Sequence, residues 1–180
     1  MKKTIVGLCL VLLFTGCSED LSKYSSIFYK DKEIGLKIPK GWVLDLEVAK
    51  ADEIPAVIYK EGESWEDGET VMYLNFMKLN VYQENIDVII SRDKEYLESN
   101  YKGVEVKFKE ELTSGEFETK IQYSGGGDLE QHEYLSYVAV ENVAMMWVLS
   151  STSKEDLDKH YDEFKSMLTS TKLLKEEAKE

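Results

Sequence analysis

Few residues in this sequence are of types that do chemistry, and their spacing builds no recognised catalytic set. His132 and His160 are its two histidines. Zinc takes three or four ligands, and neither histidine has a close histidine or cysteine companion. His132 falls in a strand-like run, and His160 in a helical one with Asp156 and Glu163 a turn away on either side. Both are expected to be structural or solvated. Gly125-Gly126-Gly127 has neither the G-x-G-x-x-G spacing nor the following Lys-Ser/Thr of a phosphate loop. Asp128 and Glu130 beside it would repel phosphate, so a flexible connection is expected there. Ser124 has Gln122 where a nucleophile elbow needs its first glycine. No catalytic residue, metal site or cofactor is assigned.

One segment stands apart. Glu61-Gly62-Glu63-Ser64-Trp65-Glu66-Asp67-Gly68-Glu69 sets five carboxylates around a tryptophan in an expected surface loop. Trp is enriched at interface hot spots, so Trp65, Glu66 and Asp67 are candidate partner contacts. Hard cations take several oxygen ligands, which makes a weak cation site the alternative, although EF-hand spacing is absent. The plainest reading is a solvated connection with Trp65 folded back on the sheet.

Cys17 has the most specific surroundings. Lys2 and Lys3 precede an apolar run from Ile5 to Phe14, and Thr15-Gly16-Cys17 follows. Ten residues rise only about 15 Å as a helix, against about 30 Å of hydrocarbon, so the run cannot span a bilayer permanently. The pattern is that of a secretory signal. Its ending resembles the bacterial lipobox, with Phe14 at the position that usually holds leucine. The resemblance implies cleavage before Cys17 and diacylglycerol on its sulfur, and hence a membrane partner through that lipid. Two acyl chains hold firmly where one is marginal. Ser18 after the cysteine implies the outer membrane in a Gram-negative cell; in a Gram-positive cell the anchor is the cell membrane. The alternative is an ordinary signal cut elsewhere, with Cys17 incidental.

These readings divide the chain into a signal (1–16), a lipid-bearing tether (17–26), one domain (27–174) and a charged tail (175–180). Loss of the signal moves the formal charge from −13 to −15. That acidity argues against nucleic acid, which needs clustered Lys and Arg. With Cys9 removed and Cys17 capped, no thiol remains for a disulfide, a nucleophile or zinc. A chain of about 164 residues buries roughly 68–70% of its unfolded surface without such help.

The elements that must position these residues are legible as patterns. Ile34, Leu36 and Ile38 alternate until Pro39-Lys40-Gly41, with Trp42 expected on the core. Ala56 to Tyr59 and Thr70 to Leu79 read as strands, the second apolar at both parities and so covered on both faces. Asn85 to Tyr101 suits a helix ended by Gly103. Val104, Val106 and Phe108 are expected inward, as are Phe117, Ile121 and Tyr123 on the next strand, with Thr113-Ser114-Gly115 the turn between. Glu133 to Val140 and Val143 to Ser150 form a hairpin through Glu141-Asn142. Ser153 then caps one helix whose stripe is Leu157, Tyr161, Phe164 and Leu168. The class is α+β, with six to eight mostly antiparallel strands and two helices.

The order of elements also resembles a known fold. Gly35-Leu36-Lys37-Ile38-Pro39-Lys40-Gly41-Trp42 opens the domain, and a hairpin, a capped helix and the tail Phe164 to Leu174 close it. This resembles the PsbP-like fold of a photosystem extrinsic subunit, a Ran-binding nuclear factor and many bacterial lipoproteins. The resemblance implies a central antiparallel sheet with helices on both faces, and binding or assembly rather than enzymatic work. The expectation is a non-enzymatic interaction module with an envelope protein as partner. The alternatives are a small-ligand or cation binder and, further off, a hydrolase using dispersed carboxylates. A convergent pair of buried carboxylates would favour the hydrolase, and a deep apolar cavity the ligand binder.

Overall fold

The computed structural model describes residues 21–29, 32–78, 85–114, 117–140 and 143–176. The signal, Cys17 and the Glu141-Asn142 turn lie outside the described residues, as do Leu79 and Gly115. A single 3-10 turn, Leu21–Lys23, precedes β1 (Ser25–Tyr29), which pairs antiparallel with β2 (Lys32–Leu36). The C-terminal strand, β10 (Lys172–Glu176), returns to the other edge of β2. These three make a small sheet in the order β1-β2-β10.

The large sheet has seven strands, all antiparallel. They are β3 (Trp42–Asp45), β4 (Ala56–Lys60), β5 (Thr70–Lys78), β6 (Glu105–Ser114), β7 (Phe117–Gly126), β8 (Leu129–Val140) and β9 (Val143–Ser151). Their spatial order is β3-β4-β5-β9-β8-β7-β6. Alternation sends the two parities of each strand to opposite faces. Met72, Leu74, Trp147, Leu149 and Ile121 occupy one face, where they meet the small sheet through Ile34 and Leu36. The helices α3 (Lys154–Lys159) and α4 (Tyr161–Ser170) cover that face with Leu157, Phe164, Met167 and Leu168. Leu135, Tyr137, Ala144 and Val148 occupy the other face, under Ile89 of α2 (Ile86–Asn100). Helices thus lie on both faces of a seven-stranded sheet.

The caps fall where side-chain chemistry places them. Asn85 Oδ1 accepts from the Val88 amide at 3.0 Å, and Ser153 Oγ from the Asp156 amide at 3.3 Å. Asp45 caps the short α1 (Leu46–Ala51), which alternation did not reveal. The expected single closing helix is instead two, broken at His160 (φ −99°, ψ 5°). His160 is buried at the break, with Glu163 Oε2 2.6 Å from Nδ1 and Lys60 Nζ 2.7 Å from Nε2. The apolar stripe survives the break because both pieces stay on the same sheet face.

Two further expectations are corrected. Phe108 is 65% exposed rather than inward: it lies on the edge strand β6, immediately before a bulge between Phe108 and Glu110 that sends the residues after it to the opposite faces. Val106 before the bulge and Leu112 after it are buried. The three glycines are not a flexible connection; they end β7 and turn directly into β8. Gly126 and Gly127 have φ of 82° and 61°, and the Asp128 amide donates to Lys102 O at 3.0 Å. A Cβ at Gly127 would strike the backbone of Lys102 and Gly103, so glycine is required by close approach.

Candidate functional site

The acidic segment after β4 is a fastened loop. The Glu61 amide donates to Gly41 O at 2.9 Å and the Glu63 amide to Lys60 O at 3.0 Å. Ser64 Oγ donates to Asp67 Oδ2 at 3.1 Å and accepts from the Asp67 amide at 3.2 Å, which closes a tight turn. The Gly68 amide follows with a bond to Ser64 O at 3.0 Å, and a Cβ at Gly68 would sit 2.9 Å from that oxygen. At its far end the loop is tied to β9, where Ser151 Oγ donates to Glu69 O at 3.0 Å. Both ends are pinned, so the turn presents Trp65 in one place.

Trp65 is half-buried and meets Tyr73 of β5 edge to face, with ring centroids 5.9 Å apart at 78°. This arrangement suits the ring quadrupoles. Beside the two rings opens a cleft of about 450 Å³. Its mouth carries Glu66 and Glu69, both exposed, and its far side Gln131 and Glu133 of β8 and Ser150 of β9. The cleft lies beyond the reach of α2, on the same sheet face.

Glu133 is the chemically distinctive residue. It stands on β8 between Ser124 of β7 and Ser150 of β9 in register. Tyr73 Oη donates to Glu133 Oε1 at 3.1 Å. Burial pushes the Glu133 carboxyl above the ordinary range, against the opposing pull of the Tyr73 and Ser150 hydroxyls. Burial likewise pushes the Tyr73 phenol up, with the Glu133 charge adding to it. None of the residues lining the cleft is basic. Ser124 Oγ and Gln122 Nε2, fully enclosed nearby on the same face, have no hydrogen-bond partner among the described residues.

Of the residues singled out from sequence, Trp65 and Glu66 line the cleft. Asp67 does not; its carboxylate is spent on the Ser64 turn. No group of three or more His, Cys, Asp or Glu side chains placed to hold a metal occurs among the described residues. His132 Nδ1 lies 2.9 Å from Tyr123 Oη, on the face opposite the cleft. Glu133, Tyr73 and Ser150 were not anticipated. A signal was present: Glu133 shares the parity of Leu135 and Tyr137, which a covered strand sends inward.

No protein-family model and no curated protein matches the sequence. Solved structures do. The PsbP protein (CyanoP) from Synechocystis sp. PCC 6803 superposes with a TM-score of 0.53 at 11% identity, covering 89% of this chain and 98% of that one. The chain has a PsbP-like fold. LpqN, involved in cell envelope biogenesis of Mycobacterium tuberculosis, superposes with a TM-score of 0.57 at 14% identity, over 83% of this chain and 90% of that one. A protein of unknown function from Pseudomonas aeruginosa gives 0.51 at 8% identity, over 81% and 94%. At these identities the likeness is one of fold. The chemistry of the Trp65 cleft belongs to this chain and is read from its own residues.

Proposed function

We propose that the chain is a non-enzymatic binding module of the bacterial cell envelope, tethered by lipid on Cys17 to the extracytoplasmic side of a membrane. It contacts an envelope partner through the Trp65 face. The observation that carries this reading is Trp65 itself, half-buried on a loop fastened at both ends at the mouth of a cleft. A rigid aromatic anchor loses little conformational freedom when a partner covers it. Against a hydrolase, a single carboxylate is drawn into the cleft, while Glu66 and Glu69 remain at its exposed mouth. Acid–base cleavage by paired carboxylates needs two that converge. The envelope address rests on the signal-like residues 1–16 with Cys17, and it agrees with the role named for LpqN. From Cys17 to the start of β1 the chain spans at most about 28 Å, which keeps the domain near the membrane.

A photo-crosslinking residue at Glu66, on the cleft mouth, should capture a defined envelope component in intact cells. The same residue at Asp162, exposed on α4 across the sheet, should not. Trp65→Ala should abolish the Glu66 adduct. Identical adducts from the two positions, or an adduct indifferent to Trp65→Ala, would show that this face is not the contact surface.

A further inference from the structure

We infer that the cleft beside Trp65 is a binding site for a compact organic cation, an alkyl ammonium or alkyl guanidinium group whose charge is set against Glu133 and whose stem lies along the Trp65 and Tyr73 rings. The inference rests on the reading of the Trp65 face as the working surface and names the chemistry that surface selects.

Three independent features converge on it. The first is size: about 450 Å³ is far more than a bare metal ion needs and falls within the range of small-ligand pockets. The second is the aromatic lining. Trp65 and Tyr73 both border the cleft, their rings edge to face at 5.9 Å, and an aromatic wall of this kind attracts a positive charge. The third is a carboxylate without a counter-ion. Glu133 is drawn into the sheet, yet no Lys, Arg or His lines the cleft to balance it. Its hydrogen bond comes from the neutral Tyr73 phenol, while the Ser150 hydroxyl beside it donates to Gln131 Oε1 at 3.5 Å. A half-buried acid held only by a neutral phenol costs stability, and an incoming cation is the group that would compensate it. The enclosed Ser124 hydroxyl, cross-strand neighbour of Glu133, still has bonding capacity unspent.

The geometry also discriminates against the nearest alternatives. An anion would meet Glu66, Glu69 and Glu133 with no basic group to receive it. A hard divalent cation wants six or more oxygens drawn inward, whereas Glu66 and Glu69 are exposed at the mouth and the walls between are aromatic. A neutral sugar could stack on Trp65, but it leaves the Glu133 charge uncompensated.

The test is titration of the full chain, in neutral detergent, followed by calorimetry and by Trp emission. The probes are agmatine, an N-acetyl-arginine amide peptide, N-acetylglucosamine and calcium chloride. Agmatine should saturate, Glu133→Gln should weaken it about tenfold or more, and Trp65→Ala about threefold to tenfold. Glu133→Gln preserves the acceptor for Tyr73, so a folded variant is expected, and its circular dichroism checks that. Saturation by agmatine alone identifies a free amine as the ligand; saturation by the peptide as well admits a partner's basic side chain. Agmatine that fails to saturate by about 10 mM, binds Glu133→Gln equally well, or is outdone by the sugar or calcium overturns the inference. The Glu66 crosslink reads separately: an intact, Trp65-dependent adduct with no cation binding sinks the ligand class and leaves the contact surface standing.

Discussion

Tyr73 and Glu133 face each other across the β9 strand that separates their own, the phenol donating to the carboxyl at 3.1 Å on the sheet face that α2 leaves uncovered at one end. The bond holds an acid in a place where an apolar side chain would pack more cheaply. Leu135 and Tyr137 follow at the same parity and belong to the core. The acid at position 133 is therefore a local cost, set among neutral polar neighbours and with no basic residue in the cleft lining.

That cost is measurable through pH. Burial raises the folded-state pKa of Glu133, so the native state binds its proton more readily than the unfolded state does. The Glu133 contribution to stability is thus least favourable at neutral and alkaline pH. It improves as pH falls through the raised folded value and levels off below the unfolded value of about 4.3. Glu133→Gln should raise the urea midpoint at pH 8, and the gain should shrink toward zero on acidification. A variant less stable than wild type at pH 8 would mean that the ionised carboxylate is well compensated as it stands.

A second titration runs the other way. Glu110, just past the β6 bulge, accepts from Lys165 Nζ and from Tyr161 Oη, each at 2.5 Å. The lysine first, and the phenol after it, hold the Glu110 carboxyl below its ordinary value. Its stabilising contribution is present above the unfolded value and is lost as pH falls through the lowered folded one. Lys165→Ala should shallow the acid-side loss of stability. At neutral pH it should cost no more than about 1 kcal/mol, because the pair is partly exposed.

Phe164, adjacent in sequence, belongs to a different class. Its ring is fully enclosed between α4 and the large sheet, and Phe164→Ala should cost about 3–5 kcal/mol. Ser166→Ala on the exposed side of the same helix should stay within about 0.5 kcal/mol of wild type. Equal denaturation midpoints for these two variants would contradict the packing of α4.

What the sequence disclosed follows from how local each signal is. The α2 helix and the β8–β9 hairpin were legible because periodicity and caps lie within the segments themselves. The β1 and β10 strands were not, since their reason to be strands is β2, which lies remote from β10 in the chain. At the break, His160 meets Lys60, a hundred residues away in the chain. Trp65 and Glu66 could be picked out as a local oddity, but Tyr73 and Ser150 become site residues only once β5, β8 and β9 lie side by side. Glu133 was the exception, a polar residue at an inward parity, and it is the one on which the cleft turns.

The lipid on Cys17 is tested by Cys17→Ser. The signal-like start and the Thr15-Gly16-Cys17 ending lead us to expect loss of palmitate labelling and either an uncut precursor or a form released from membranes. A serine variant that labels, migrates and fractionates like wild type would remove the anchor from the proposal while leaving the cleft untouched.

The last prediction concerns Trp65 and uses the other two tryptophans as an internal control. Trp147 is fully enclosed, and Trp42 is 7% exposed with its indole N–H given to Glu163 Oε2 at 3.1 Å. Acrylamide should therefore quench a single accessible population, and Trp65→Ala should remove it. The substitution forfeits the edge-to-face contact with Tyr73, so a stability loss of about 1 kcal/mol is expected, beyond that of a free surface ring. A core ring would cost about 3–5 kcal/mol. The size of the loss thus separates a half-buried anchor kept for binding from a ring that merely plugs the sheet. A loss of several kcal/mol, with quenching unchanged by the substitution, would return Trp65 to the core and leave the cleft without its aromatic wall.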